Sequence, residues 1–196
     1  MAARHIAQHG GTLIHPYNDR EVIAGQGTIG LEVAEDCAAL GIVPDALVIP
    51  CGGGGLSSGV GLALCDAFRD LAVTLVEPAG FDDYARSLSE GRIVANAFTA
   101  GSICDALLAP SPGALGFAIN RANQARAVTV TDDEALAAVA FAFRELKLVV
   151  EPGGAVALAA VLAGRVDIKG KTAVVVLSGG NVDEAVLARA LAGGHG

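Results

Sequence analysis

Four consecutive glycines, Gly52 to Gly55, separate an apolar run from a run of small residues in LVIPCGGGGLSSGVGLALC, residues 47–65. Glycine loses more backbone freedom on folding than any other residue and offers no side chain to pack. A chain that gathers four of them in one place must bring its backbone very close to something. Ala46–Ile49 before them reads as a buried strand, and Ser57–Phe68 after them as a small-residue helix. A strand, a glycine loop and a helix start together present unpaired amides at the positive end of a helix dipole, which suits a phosphate. Tight helix–sheet packing is the other reading, and it would need only one or two glycines.

Two familiar phosphate loops do not fit. Counted from Gly52 or Gly53, the sixth position of a GxGxxG fingerprint is Ser57 or Ser58, and no Lys-Ser/Thr pair follows the glycines as in a P-loop. A dinucleotide reading stays open through Glu77, which ends the next strand where a ribose-binding acid would sit.

The 196 residues, 53% hydrophobic, suffice for one well-packed α/β domain spanning 1–196 and are too few for two. A net charge of −8 without any basic cluster argues against nucleic acid or an anionic membrane as partner. Cys37, Cys51, Cys65 and Cys104 have neither zinc-site spacing nor the density of a disulfide scaffold, so free thiols are expected. The opening MAARHIAQHGG is too polar for a signal peptide and no apolar run is long enough to span a membrane, which together point to the cytoplasm. His5, His9, His15 and His195 form no ligand spacing and are read as surface or packing residues.

Along the chain the pattern predicts a helix over Ala2–Gln8, a short strand over Thr12–His15, a turn, and a helix from about Thr28 to Leu40 stopped by Gly41. Further strands are expected at VTLVEP (73–78), Ala127–Val130 and Thr172–Ser178, and a helix at DDYARSLSE closed by Gly91. Thr131 and Glu134 form a capping box for a helix whose buried face is Leu136, Val139, Ala140, Phe143 and Leu146. Asn181 with Glu184 opens the last helix in the same manner, and GGHG is a frayed tail. Strands alternating with helices predict a mostly parallel sheet covered on both faces, with ligands beyond the carboxyl ends of its strands. Gly52–Gly55 and Ser178–Gly180 both fall at strand ends and should face one crevice.

Five blocks, LIHPYNDREVIAGQGTIGLE, PCGGGGLSSG, VEPAGFDDYARSL, RELKLVVEPGGAV and VVVLSGGNVD, resemble in content and order the threonine/serine dehydratase and serine racemase branch of fold-type-II pyridoxal-phosphate enzymes. The resemblance implies the large-domain part of the tryptophan-synthase-β-like architecture. It implies pyridoxal 5′-phosphate with its phosphate on the amides of Gly52, Gly53, Gly54, Gly55 and Leu56, and the Ser178 hydroxyl at the ring nitrogen. Without it, Ser178 reads equally well as a cap for the turn into the Asn181 helix. Glu151 would border the ring, or else be a strand-end surface acid. Glu77, the carbonyl of Phe81 and Asp83 match positions that hold a divalent cation such as Mg²⁺ in racemase-like members, and hard oxygen donors suit it. Alternatively Asp82 and Asp83 cap the helix that starts there, with Glu77 solvated. In SICDAL the branch usually has glycine where this chain has Ala106.

The same resemblance implies β-elimination of L-threonine or L-serine to a 2-oxo acid and ammonia, with a small amino-acid substrate and a homodimer. That chemistry needs a lysine in a Ser-x-Lys segment, and the only lysines are Lys147, Lys169 and Lys171, none in such a segment. The chain is therefore expected to correspond to a C-terminal portion of such an enzyme, inactive alone. Amino-acid racemisation is a sister reading, and a non-catalytic module binding a phosphorylated ligand is a third.

Overall fold

The computed structural model describes residues 2–193; His195 and the rest of the expected tail, 194–196, lie outside the described residues. Four strands, β1 (Ala46–Pro50), β2 (Ala72–Pro78), β3 (Arg126–Val130) and β4 (Ala173–Val175), form one all-parallel sheet in the order β3-β2-β1-β4. Eight α-helices accompany them among the described residues: α1 (Ala2–His9), α2 (Arg20–Leu40), α3 (Gly55–Ala67), α4 (Asp83–Glu90), α5 (Ala114–Ala122), α6 (Asp132–Phe141), α7 (Pro152–Leu162) and α8 (Glu184–Ala192).

β1 is buried along its whole length. Its alternating side chains enter two apolar clusters, one on each face of the sheet. Leu47 and Ile49 pack with Val60 and Leu64 of α3, Tyr84 of α4 and Phe117 of α5. Val48 packs with Val76, Val130 and the α6 and α7 residues Val139 and Val156 on the other face. α2 lies outside α3 and reaches it through glycines: a Cβ on Gly30 would stand 2.8 Å from the Ala63 Cβ, and one on Gly59 2.3 Å from the Ile23 carbonyl. After β3 the chain crosses to the far side of β1, so the order of strands reverses between β1 and β4. In open parallel sheets that reversal opens a crevice at the carboxyl ends.

Several expected boundaries move. Thr12–His15 pairs with no strand, and Leu13 and Ile14 are 56% and 68% exposed. α2 begins at Arg20 instead of Thr28, because Asp19 caps it by accepting from the amides of Glu21 and Val22, and its glycines serve the contact with α3. The long apolar signal Thr172–Ser178 yields only a three-residue strand, since β4 pairs with β1 alone and the chain then turns toward α7, where the Ser178 amide donates to the Gly154 carbonyl. The Thr131–Glu134 capping box forms as expected. Beyond α6, however, one π turn over Ala142–Leu146 inserts a residue and rotates Phe143 and Leu146 off the buried face, leaving both exposed. α8 is capped at Asp183, two residues after Asn181. α5 and α7 are absent from the expected elements; α7 is buried on every side from Pro152 to Ala160, so it lacks a polar face to mark it as a helix.

Candidate functional site

The glycine loop leaves the carboxyl end of β1 and becomes the first turn of α3, with Gly54 in the left-handed region at φ +92°. All four glycines are closely packed, where tight packing was expected to need one or two. A Cβ at Gly52 would stand 3.0 Å from the Leu107 backbone, and one at Gly53 2.2 Å from the Tyr17 ring. At Gly54 it would stand 2.1 Å from the Tyr84 hydroxyl, and at Gly55 2.9 Å from the Tyr17 Cα. Packing explains the missing side chains but not the backbone. Among the described residues, none accepts a hydrogen bond from the amides of Gly52, Gly53, Gly54, Gly55 or Leu56, although Gly53, Gly54 and Gly55 are buried. Buried amides without acceptors at a helix N-terminus are the donor set that an anion completes.

Those amides line a cavity of about 320 Å³, within the range of small-ligand sites. Ser178 reaches it from the end of β4, so the two strand ends do share one crevice, and Ser178 caps no helix. Tyr17, Gln26, Ile29, Ala106 and Leu107 complete much of the wall. Sequence reasoning overlooked Tyr17, whose signal lay in the HPY block. The His15 Nδ1 accepts from the amides of Tyr17 and Asn18, fixing the turn that lays Tyr17 over the glycines. A larger cavity of about 570 Å³ between α2, α3 and α5 is mostly apolar and holds no comparable set of free donors.

Glu151 does not line the cavity. Its Oε2 accepts from the Asn181 amide at 3.1 Å, and its Oε1 would meet a Cβ on Gly179 at 2.4 Å. The side chain, half-buried, therefore anchors the loop that carries Ser178.

Glu77, at the end of β2, is fully buried instead of solvated. Its two carboxylate oxygens accept from the amides of Tyr84 (2.8 Å) and Ala85 (2.9 Å), capping α4 from outside, while the N-cap residue Asp82 makes no side-chain cap. A carboxylate so engaged is not exposed to a ribose, which closes the dinucleotide reading. Burial pushes Glu77 up to about 8, against the pull of its two amide bonds, and pushes Asp83 up to about 6. Asp83 Oδ1 accepts from Asn96 at 2.6 Å, whereas its Oδ2 is buried without a partner. Among the described residues no three His, Cys, Asp or Glu side chains gather as a metal site, so a cation here would need the Phe81 carbonyl and water.

The lysines lie elsewhere. Lys147 ends the π turn with its Nζ on the Arg144 carbonyl, and Lys171 Nζ bonds the Asp167 carbonyl in the turn before β4; neither these nor Lys169 lines the cavity. Among the described residues no disulfide forms, and no helix is long and apolar enough to cross a membrane.

Residues 1–179 match the family described as pyridoxal-phosphate dependent enzyme. An L-threonine ammonia-lyase of Thermotoga maritima is 38% identical over 174 residues, 89% of this chain and 42% of its own. A serine racemase of Arabidopsis thaliana is 39% identical over 93% of this chain and 55% of its own. Among solved structures, a T.th. threonine deaminase superposes with a TM-score of 0.86 at 38% identity, over 93% of this chain and 61% of that one. Maize serine racemase gives 0.84 at 32% identity, over 97% and 58%. The chain thus spans about half the length of the curated relatives it matches.

Proposed function

As this chain belongs to the pyridoxal-phosphate dependent enzyme family, with the fold-type-II architecture of threonine deaminase and serine racemase, we propose that its cavity holds the cofactor of an L-threonine or L-serine β-elimination. The observation that carries the reading is the row of acceptorless amides from Gly53 to Leu56, those of Gly53, Gly54 and Gly55 on buried residues, in the wall of the cavity that Ser178 also lines.

The fit is chemical. Five amide donors, Gly52 to Leu56, at the start of α3 suit a phosphate dianion, and Ser178 is the uncharged partner for a ring nitrogen. Pyridoxal phosphate, when bound, supplies an electron sink for the pair left when a bond to the substrate Cα breaks. A hydroxyl at Ser178, unlike a carboxylate, does not hold that nitrogen protonated, which favours prompt loss of a β-hydroxyl. Leu107 and Tyr17 cover the loop and limit water around the amides. No side chain of this chain brings an amine to the cavity, so residues 1–196 alone bind the cofactor weakly through its phosphate and do not turn over substrate. We further propose a homodimer acting in the cytoplasm, with small amino acids as substrates.

Racemisation is a second reading, and the oxygen set of Glu77, Asp83 and the Phe81 carbonyl favours it. The orphaned, buried Asp83 Oδ2 fits a Mg²⁺ or Ca²⁺ ligand.

The test is a titration with pyridoxamine 5′-phosphate and with pyridoxamine, paired with assays for ammonia release and serine racemisation. Phosphate-dependent binding without turnover is expected. Equal affinity for the two compounds would overturn the cradle, and ammonia from threonine would overturn the inactivity. Turnover of neither substrate, even with a lysine-bearing segment supplied, would favour a non-catalytic binding module.

A further inference from the structure

Asn120 is a fully buried amide in the last turn of α5, where asparagine is a poor helix former and burial of an unpaired group is costly. Its Oδ1 has no partner. Its Nδ2, by contrast, donates twice, to Ser57 Oγ at 3.0 Å and to Tyr84 Oη at 3.1 Å. Because Ser57 accepts from Asn120, its own proton is directed elsewhere, and Ser57 Oγ donates to the Gly54 carbonyl at 3.3 Å. Tyr84 Oη stands only 2.1 Å from where a Gly54 Cβ would be, and a Cβ on Gly116 would lie 2.9 Å from the Gly54 carbonyl. One buried amide therefore holds both hydroxyls that press on the left-handed residue of the glycine loop.

We infer that Asn120 is a positioning residue for the phosphate cradle: through Ser57 and Tyr84 it sets the orientation of the Gly54 peptide, and so aims the amides from Gly53 to Leu56 into the cavity. It touches no ligand itself. This rests on the proposed phosphate site and goes beyond it, since it explains why a polar residue is kept in an apolar seam between α3, α4 and α5. With the pin removed, Gly54 is free to rotate its peptide, and the amides are no longer preorganised.

The experiment measures binding of inorganic phosphate, pyridoxamine 5′-phosphate and pyridoxamine to the whole chain, as wild type, Asn120→Leu, Ser57→Ala and the double variant. Asn120→Leu and Ser57→Ala should each weaken both phosphate compounds about tenfold, the size of one well-placed hydrogen bond, and leave pyridoxamine unchanged. The double variant should be no worse than the weaker single one, because the two act in series. The backbone amide NMR shifts of Gly53, Gly54 and Gly55 should move in Asn120→Leu before any ligand is added. Wild-type phosphate affinity in either folded single variant overturns the inference, as does a double loss equal to the product of the two. If Asn120→Leu does not fold, Tyr84→Phe decides. Tyr84 carries the other hydroxyl that Asn120 holds and, unlike Ser57, it does not line the cavity, so its loss should weaken both phosphate compounds and unchanged affinity overturns the inference. A wild type that binds pyridoxamine 5′-phosphate no better than pyridoxamine overturns the phosphate site itself, and this inference with it.

Discussion

Replacing Glu77 by glutamine removes a carboxylate that is fully buried and raised to about 8 from 4.5. Since the native state holds the proton more tightly than the unfolded chain, stability from this group is full below about pH 4.5 and is lost as the pH rises toward 8. At 1.36 kcal/mol per pH unit the interval sets a ceiling of about 5 kcal/mol on the loss. Asp83, raised to about 6, acts in the same sense over a lower window. Glu77→Gln keeps an acceptor for the Tyr84 amide but puts an NH₂ against that of Ala85, a loss of about 1 kcal/mol near pH 5. Urea unfolding of both proteins between about pH 5 and pH 8.5 measures the difference, with all other carboxylates common to the pair. The wild type should lose about 2–5 kcal/mol relative to the variant across that range. A difference that stays constant, or that favours the wild type more at high pH, would refute the buried-carboxylate argument.

Other substitutions report on the loop and its surroundings. Gly54→Ala places a Cβ at φ +92° against the buried Tyr84 ring and should cost about 3 kcal/mol or more in denaturant unfolding; a loss under about 1 kcal/mol would contradict the packing. Gly53→Ala would place its Cβ first against the half-buried Tyr17 ring, so Tyr17→Ala in the same chain should recover most of its stability, as a double-mutant cycle would show. Pyridoxal phosphate added to the chain should give no intense visible band that borohydride fixes on a single lysine; mass spectrometry finding one modified lysine would contradict the reading of Lys147, Lys169 and Lys171. Added Mg²⁺ or Ca²⁺ should raise the Tm at pH 8 in the wild type and not in Asp83→Asn, and equal shifts in both would remove the cation site.

Local chemistry along the chain was enough to foresee the strand–glycine–helix unit and the alternation of strands and helices, because each rests on neighbours a few residues apart. The same holds for the Thr131–Glu134 cap. The meeting of Gly52–Gly55 with Ser178 followed from the rule that strand ends of a parallel sheet share one crevice. What side chains do across elements was decided by the fold alone. Glu77 caps a helix from a neighbouring strand, Glu151 anchors the Ser178 loop, Tyr17 covers the glycines from the turn leading into α2, and Asn120 of α5 holds the Ser57 and Tyr84 hydroxyls beside them. α7 is hidden from periodicity by burial on every side, and the strongest strand signal shrinks to three residues at a sheet edge. Backbone conformation follows from near neighbours in sequence, whereas burial and hydrogen-bond partners depend on which distant surfaces the folded sheet brings together.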